Sequence, residues 1–421
     1  MKIKITELGF EQMQNLKPKK LKAPKKPNIF FRTLLKIVSL PDLLFLKKKI
    51  NKIGMEKLSK KEPCLILMNH SSFIDLEIAS SIFYPRPISI VTTQDGFVGK
   101  NWLMRELGCI HTVKFATDIK LVKEMINAVQ NLKTSVLMYP EAGYSFDGTS
   151  TTLPDILGRC AKMLKVPVVM VTAYGAYHRQ PLYNNLIKRK VPLEINIEYL
   201  FSKKDVEKLS EDELNKRIKE KFAFDNFKWQ KDNNIIIDHP KRAEGINRLL
   251  YKCPHCLNEG EMISKDHTLT CPKCNKIYEL SPLGEMIARD GESEFKHIPD
   301  WYKWERKEVK KEILVGMYLV NLDVDIYMMI DTYKIYHLGD GTLKHDINGF
   351  VLKAYDDKLS FELPGKSSYT VNADYFWYEL GDIICIGDLK HQYYCFPKTN
   401  KDIVTKLRLA AEEIYKIHNN K

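Results

Sequence analysis

A histidine and an aspartate five positions apart, His70 and Asp75, are spaced for acid–base chemistry. They follow an apolar run, residues 65–68, that predicts a buried strand. The carboxyl ends of strands are where open α/β sheets bind ligands. If a helix begins at Ser71 or Ser72, Asp75 can accept the Nδ1 proton of His70 and leave Nε2 free as a general base. The alternative is a histidine that only ends a strand, beside an unrelated aspartate.

A second candidate turn, YPEAGYS at residues 139–145, also follows an apolar strand. Its proline and glycine force the chain to turn, so Glu141 should project from the same edge of the sheet as His70. The alternative is an ordinary strand exit with an exposed glutamate. The sequence therefore predicts that an imidazole and two carboxylates line one cleft.

Four of the nine cysteines form two C-x2-C pairs about fifteen residues apart. These are Cys253, Cys256, Cys271 and Cys274. Such pairs predict a tetrahedral zinc ribbon. Because four thiolates would complete the coordination shell, the Zn²⁺ would be structural, and His255 and His267 would not be ligands. The other five cysteines are scattered among apolar neighbours, which argues against a disulfide framework.

Short apolar runs alternate with amphipathic ones in the first half of the chain. The runs that predict strands are residues 64–68, 88–92, 109–113, 135–139, 167–172 and 193–199. Between the third and fourth runs the pattern predicts a helix with Thr117 as its N-cap. Ser210 and Glu213 predict a capping box at the start of another helix. This alternation predicts an α/β domain with a largely parallel sheet and flanking helices.

Beyond the cysteines, the chain is rich in aromatic and β-branched residues and in turn signals, which predicts an antiparallel β-domain. A last helix would close it, a shape that pleckstrin-homology-like domains share. The predicted organisation is a basic, amphipathic membrane-association segment at 1–56, the α/β domain at 57–240 and a zinc ribbon at 250–280. A linker or helical segment at 281–312 then leads to the β-rich domain with its C-terminal helix at 313–421.

A net charge of +13 predicts an anionic partner, either a membrane surface or nucleic acid. Six lysines within residues 17–26 precede a mostly apolar stretch, residues 29–46, and a second basic run follows it. Two basic residues, a proline and an aspartate interrupt the stretch, so it predicts an interfacial anchor and not a spanning helix. The alternative is a buried amphipathic helix with a solvated basic flank. Without a secretory signal, we expect a cytoplasmic protein held at the inner face of a membrane.

Four segments, NHSSFID, LGCIHTVK, YPEAGYS and KVPVVMV, resemble the four sequence blocks of the glycerolipid acyltransferase family typified by 1-acylglycerol-3-phosphate acyltransferase. Their order and separations match, and the likeness covers about residues 57–200. The resemblance implies an enzyme that moves a fatty acyl group from acyl-CoA or acyl carrier protein to a hydroxyl of a lysophospholipid or glycerol-phosphate-type acceptor. No acyl-enzyme is implied.

The resemblance also assigns roles to residues, with His70 and Asp75 as the catalytic pair. The implied substrate-binding residues are Lys114, Glu141, Ala142, Gly143, Tyr144 and Ser145. Lys114 stands where the family usually has a phosphate-binding arginine, and it keeps the charge without the bidentate fork. The third block departs from the family's usual Gly-Thr-Arg, although its tyrosine and serine could hydrogen-bond a polar head. Backbone amides after His70 would supply an oxyanion hole.

Three other functions stay open at this point. A zinc ribbon and positive charge fit nucleic-acid binding, but the basic residues around the ribbon are sparse and mixed with acidic ones. A serine hydrolase of the α/β type would carry a G-x-S-x-G elbow, which the sequence lacks. A non-catalytic lipid-binding scaffold would use the basic N-terminus and the β-domain.

Overall fold

The structure is a computed structural model that describes residues 4–44, 46–114 and 118–419. Phe45, in the predicted interfacial stretch, and Thr117, the predicted N-cap, lie outside these ranges. The described residues form a seven-stranded sheet, a four-stranded sheet and an eight-stranded sheet.

The N-terminal elements are a strand, β1 (Ile5–Glu7), and two helices, α1 (Phe10–Gln14) and α2 (Ile29–Leu44). β1 pairs in parallel with a strand late in the chain, and Ile5 lies opposite Ile335. The predicted membrane-association segment thus contributes its first strand to the C-terminal sheet. Among the described residues, we find no helix with both the length and the apolar character needed to cross a bilayer.

The seven-stranded sheet carries the first predicted domain. Its strands are β2 (Lys48–Ile53), β3 (Leu65–Met68), β4 (Ile88–Thr93), β5 (Ile110–Thr112), β6 (Ser135–Met138), β7 (Val168–Tyr174) and β8 (Leu193–Phe201). In the order β2-β8-β7-β3-β6-β4-β5, only the β7–β8 pair is antiparallel, so the predicted, largely parallel sheet is confirmed. All six predicted strands are present. β2 was not predicted because it is an edge strand with three lysines and mostly exposed side chains, a composition that hides the apolar alternation.

Helices flank this sheet on both faces. They are α3 (Ile74–Ile82), α4 (Asn101–Glu106), α5 (Ile119–Gln130), α6 (Leu157–Leu164), α7 (Ala176–Arg179), α8 (Lys203–Lys208), α9 (Glu211–Lys221) and α10 (Asn226–Asp232). Alternate residues of β3 enter two separate cores, with Ile66 in one and Leu65 in the other. This alternation follows from the two-residue period of a strand that is covered on both faces.

Local caps set where two of these helices begin. α5 starts after Asp118, whose side chain accepts a hydrogen bond from the Lys120 amide over 2.8 Å. The predicted capping box of α9 is confirmed, because the Ser210 hydroxyl oxygen accepts from the Glu213 amide at 3.2 Å and the Glu213 carboxylate accepts from the Ser210 amide at 2.8 Å. Each cap satisfies an amide that has no partner inside the helix.

The rest of the chain is mostly antiparallel sheet, as predicted. The elements are β9 (Ile263–Lys265), β10 (Thr268–Thr270), β11 (Ile277–Leu280), β12 (Met286–Ala288), α11 (Ile298–Leu314), β13 (Val320–Met329), β14 (Ile335–Asp346), β15 (Gly349–Ala354), β16 (Leu359–Pro364), β17 (Asn372–Trp377), β18 (Gly381–Gly387), β19 (Gln392–Pro397) and α12 (Val404–His418). Strands β9 to β12 form the small sheet, and the large sheet runs β16-β15-β14-β13-β19-β18-β17. The β-rich region with a terminal helix is therefore confirmed.

One hydrophobic core joins these parts to the first domain. It contains Cys253 of the cysteine cluster, Leu407 of α12 and Tyr177 of α7. Phe146, just after the YPEAGYS turn, lies with its ring 4.5 Å from that of Tyr375 in β17. The C-terminal sheet thus packs directly behind the turn that carries the second sequence motif.

Candidate active site

Four strands place the candidate residues along one edge of the seven-stranded sheet. Because β3, β4, β5 and β6 are parallel neighbours, their carboxyl ends meet there. His70 follows β3, Asp95 follows β4, Lys114 follows β5 and Glu141 follows β6. Asp95 was not predicted as a site residue, although its position directly after a predicted strand was a usable signal.

His70 and Asp75 form a hydrogen-bonded pair at this edge. The His70 Nδ1 atom lies 3.1 Å from Asp75 Oδ2, and the same oxygen accepts from the amides of Ser71 at 2.6 Å and Ser72 at 2.9 Å. Asp75 is fully buried in the first turn of α3, whereas the His70 side chain is 23% exposed. Two amides and the His70 ring therefore hold the carboxylate in place, while the imidazole stays partly exposed.

Two tyrosines pack against the His70 ring. Tyr139 stacks on it with ring centroids 4.1 Å apart, and Tyr144 lies at 4.4 Å with its ring tilted by 45°. The Tyr139 hydroxyl is buried without a hydrogen-bond partner among the described residues, and so is Oδ1 of Asp75. Burial, reinforced by the negative charge of Asp75, raises the pKa of Tyr139 well above its ordinary value, so this tyrosine stays neutral.

Glu141 and Ser145 hold the backbone of His70 from both sides. Glu141 Oε2 accepts from the His70 amide at 2.8 Å, and its Oε1 accepts from the Thr151 amide at 3.0 Å. The Ser145 amide donates to the His70 carbonyl at 2.8 Å, and the Ser145 hydroxyl donates to the Thr149 carbonyl at 2.6 Å. Burial raises the pKa of Glu141 to about 7, although the two amide hydrogen bonds oppose that shift.

Lys114 is buried in an ion pair and does not sit free in the cleft. Its ammonium contacts Asp95 and lies 5.4 Å from the centre of the Tyr394 ring. Burial acts to lower the pKa of Lys114, but the Asp95 carboxylate outweighs burial and raises the pKa. Trp377 of β17 also donates to Asp95, at 3.3 Å. The positive charge that the family resemblance assigns to a phosphate is therefore already neutralised.

The C-terminal region contributes further groups that sequence reasoning missed. Arg408 of α12 lies 4.1 Å from the centre of the Phe146 ring and donates to the Tyr144 carbonyl at 3.4 Å. Asn372 opens β17, and its amide nitrogen is buried without a partner among the described residues. Asp374 is half-buried, and its desolvation raises its pKa to about 6. No motif marks these residues, since they reach the site only through the packing of two sheets.

The remaining residues of the YPEAGYS turn occupy its tip. Ala142 is exposed and adopts a left-handed backbone with φ of 56°, and its amide donates to the Tyr139 carbonyl at 3.1 Å. A side chain added at Gly143 would meet the Asn372 amide oxygen at 3.8 Å. Tyr144, the next residue of the turn, packs its ring on that of His70.

Three serines that could act as nucleophiles are engaged elsewhere. The Ser71 hydroxyl accepts from the Asn69 side chain at 3.2 Å, and the Ser72 hydroxyl donates to the Ala176 carbonyl at 3.1 Å. Ser145 donates to Thr149, as described above. None of these hydroxyls points at His70 with a hydrogen bond, so the geometry does not favour a serine hydrolase.

The four predicted zinc ligands come together in space. The sulfur atoms of Cys253, Cys256, Cys271 and Cys274 all lie within 4.8 Å of one another, a set that could bind a zinc ion. Each C-x2-C pair forms the same turn: the Leu257 amide donates to the Cys253 carbonyl at 2.9 Å, and the Asn275 amide donates to the Cys271 carbonyl at 2.8 Å. His255 faces Glu294 at 3.3 Å. Four sulfur atoms are the number that a structural tetrahedral zinc site requires.

Residues 49–174 match the family model described as Acyltransferase. This segment contains the His70–Asp75 pair, Lys114 and the whole YPEAGYS turn. Residues 49–174 therefore carry an acyltransferase domain, which agrees with the family resemblance of the four sequence segments.

A solved structure, that of the 1-acyl-sn-glycerophosphate acyltransferase PlsC from Thermotoga maritima, is similar to part of this chain. The two share 20% sequence identity, the match covers 45% of this chain and 76% of that one, and the TM-score is 0.36. Curated proteins yield no match.

Proposed function

We propose that this protein is an O-acyltransferase that moves a fatty acyl group from an acyl thioester, either acyl-CoA or acyl carrier protein, to a hydroxyl of a lysophospholipid or glycerol-phosphate-type acceptor. The observation that carries the proposal is the 3.1 Å contact between His70 Nδ1 and Asp75, with the imidazole partly exposed. A histidine held in this way has its second ring nitrogen free to accept a proton.

In the proposed reaction, His70 Nε2 takes the proton of the acceptor hydroxyl as its oxygen attacks the thioester carbonyl. The tetrahedral intermediate collapses with cleavage of the carbon–sulfur bond, and the imidazolium returns the proton to the departing thiolate. Asp75 stabilises the imidazolium without taking the proton. The products are the acylated acceptor and a free thiol, so no acyl-enzyme is needed.

The oxyanion must be stabilised by groups other than those first expected. The amides of Ser71 and Ser72 both donate to Asp75 and are not available to a substrate oxygen. The sequence-based expectation of an oxyanion hole from these amides was therefore wrong, because the buried carboxylate needs them. The neutral Tyr139 hydroxyl, buried next to His70 without a described partner, is the donor that we propose instead.

A narrow apolar cavity gives the proposed acyl chain a place to enter. Its volume is about 40 Å³, and Leu76 and Ala79 of α3 line it together with Leu35 of α2. Leu76 directly follows Asp75 in the sequence, although neither His70 nor Asp75 itself lines the cavity. Because its volume is that of only a few water molecules, acyl binding requires α2 to move away from α3.

Membrane association is supported by the outer face of α2. Phe30 is 64% exposed and Val38 65% exposed on that face, and the nearby Trp102 is 68% exposed. Phe31 of α2 contacts Trp102, with the two ring centroids 5.7 Å apart. An apolar helix face with aromatic residues beside it suits the interface of a bilayer, where the acceptor lipid resides.

The cysteine cluster is proposed to hold a structural Zn²⁺. The residues fit the ion, since four sulfur atoms converge and two identical turns present them. The proposed ribbon is residues 250–280. The ion would crosslink its small sheet and would supply no chemistry to the acyl transfer.

The decisive experiment is an acyl-transfer assay with the purified protein and a panel of lysophospholipids and thioester donors, read by product mass. Wild type should acylate one acceptor class, and His70→Ala should lose turnover while its melting temperature stays unchanged. His391→Ala is a matched control, because His391 is partly exposed in the loop between β18 and β19, outside the candidate site. If neither wild type nor control transfers an acyl group while both still bind lipid vesicles, the protein is a scaffold.

A further inference from the structure

A large concavity opens on the edge of the seven-stranded sheet opposite to His70. It has a volume of about 860 Å³ and is bounded by Pro63, Pro87 and Ser135, which stand at the amino ends of β3, β4 and β6. His70 lies beyond the carboxyl end of β3, so this amino-edge groove is separate from the candidate active site. The groove adjoins the small cavity proposed for the acyl chain, with which it shares Arg32, Tyr84 and Arg86, but none of its lining residues takes part in the proposed chemical step.

The groove is lined by cations and by apolar side chains. Five lysines surround it: Lys26, Lys52, Lys60, Lys61 and Lys133. Arg32 and Arg86 complete the set, and no aspartate or glutamate is among the described residues that line it. Leu58, Phe83 and Ile197 form part of an apolar floor. Seven positive charges therefore surround one concavity in a chain whose net charge is +13.

These charges are not neutralised within the protein. Arg32 donates to the carbonyls of Asn28 and Pro85, and Arg86 donates to those of Glu62 and Ser59. Carbonyls orient the guanidinium groups without cancelling their charge. Within residues 4–44, 46–114 and 118–419, none of these seven lysines and arginines forms an ion pair. By contrast, Lys49, in the same strand as Lys52, pairs with Glu194 at 3.0 Å.

The groove adjoins the apolar surface of α2. Arg32 belongs to α2, and Lys26 precedes that helix by three residues. Phe30 lies between them in sequence and turns its exposed ring outward. A surface that brings Phe30 to a bilayer therefore brings the rim of the groove to the level of the lipid headgroups.

We propose that the amino-edge groove binds the phosphate-bearing headgroups of anionic phospholipids and docks the protein on an anionic membrane surface, apart from the catalytic histidine. The apolar floor favours a lipid over a free phosphate, because it lies beneath the cations and would contact the glycerol and upper acyl carbons. The inference rests on the proposed membrane association and is independent of the proposed role of His70.

The test measures binding of the full-length protein to vesicles of phosphatidylcholine alone and of phosphatidylcholine with phosphatidylglycerol. The variant is Lys60→Gln with Lys61→Gln, two exposed residues outside the helices and strands. The matched control is Lys366→Gln with Lys390→Gln, which removes the same charge from exposed positions of the C-terminal region. Each headgroup-contacting lysine should contribute roughly fivefold to affinity, so the groove variant should bind the anionic vesicles about 25-fold more weakly.

The expected pattern is specific. The groove variant loses affinity for anionic vesicles, the control does not, and neither changes binding to phosphatidylcholine. A Phe30→Ser variant should weaken binding to both vesicle types, because it removes an apolar side chain that would insert into the bilayer and leaves the charge unchanged. Equal losses in groove and control variants would overturn the proposal in favour of diffuse electrostatics. A groove variant that binds vesicles normally but loses acyl transfer to a monomeric acceptor in solution would overturn it in favour of a soluble anionic substrate.

Discussion

The main-chain amide of His70 donates a hydrogen bond to Oε2 of Glu141 over 2.8 Å. The acid of the second sequence motif therefore holds the backbone of the proposed base, and its other oxygen is occupied by the Thr151 amide. In this arrangement each oxygen of Glu141 already accepts a hydrogen bond from a main-chain amide, and the residue is only 3% exposed. Its substrate-binding role remains a prediction, while the structure favours a positioning role.

Replacement of Asp75 by asparagine should cost on the order of 10²- to 10⁴-fold in the rate of acyl transfer, because the imidazolium loses its counter-charge and the ring its fixed tautomer. His70→Ala should lower the rate at least as much. Steady-state kinetics with saturating thioester would show the loss in kcat. Retention of more than a tenth of the wild-type rate by either variant, with His391→Ala as the reference, would contradict the proposed mechanism.

The titration of Glu141 should make folding stability depend on pH. Its pKa is about 7 in the folded protein against an ordinary 4.5, so the fold prefers the protonated form. The stability is fully present below pH 4.5 and is lost as the pH rises through 7, a loss on the order of 3 kcal/mol. Glu141→Gln cannot ionise, so its free energy of unfolding should decline less between pH 4.5 and 8. Denaturant unfolding of both proteins measures this difference, and parallel pH profiles would count against it.

Replacement of Lys114 by methionine should destabilise the fold by about 3 to 5 kcal/mol, because Asp95 would be left as an uncompensated buried charge. Asp95→Asn in the same protein should recover most of that loss. Unfolding free energies of the two single variants and the double variant complete a cycle. If Lys114 instead binds a substrate phosphate, the double variant will be stable but will show a raised KM for phosphate-bearing acceptors, and the kinetics will decide between the two roles.

Removal of the proposed zinc ion should reach the active site through the shared core. Binding in small zinc modules is worth roughly 10 to 16 kcal/mol, and Cys253 packs in the same core as Phe146. Treatment with a chelator should release one equivalent of zinc, open residues 250–280 to proteolysis and abolish acyl transfer. Cys160→Ser is the matched control, since this cysteine lies in α6, away from the cluster. Full activity of a zinc-free protein would show that the ribbon and the active site are uncoupled.

Several elements were predictable from the sequence because their signals are local. Six strands are visible in the sequence as apolar runs, and the α9 capping box depends only on two side chains three residues apart. The cysteine spacing predicted the cluster in the same way. β2 escaped prediction because its lysine-rich edge carries no apolar alternation, and β1 because three residues acquire strand geometry only by pairing with β14.

By itself, the amino-acid sequence determined which residues stand at the carboxyl ends of parallel strands, and so that His70, Asp75 and Glu141 belong to one edge of one sheet. Only the tertiary structure decided what each side chain does there. Lys114, which was predicted to bind substrate, forms an ion pair with Asp95 instead. Arg408 of the last helix lies against the YPEAGYS turn. The physical reason is that the positions of strands along the chain follow from short-range patterns, whereas the neutralisation of a buried charge depends on which distant segment packs over it.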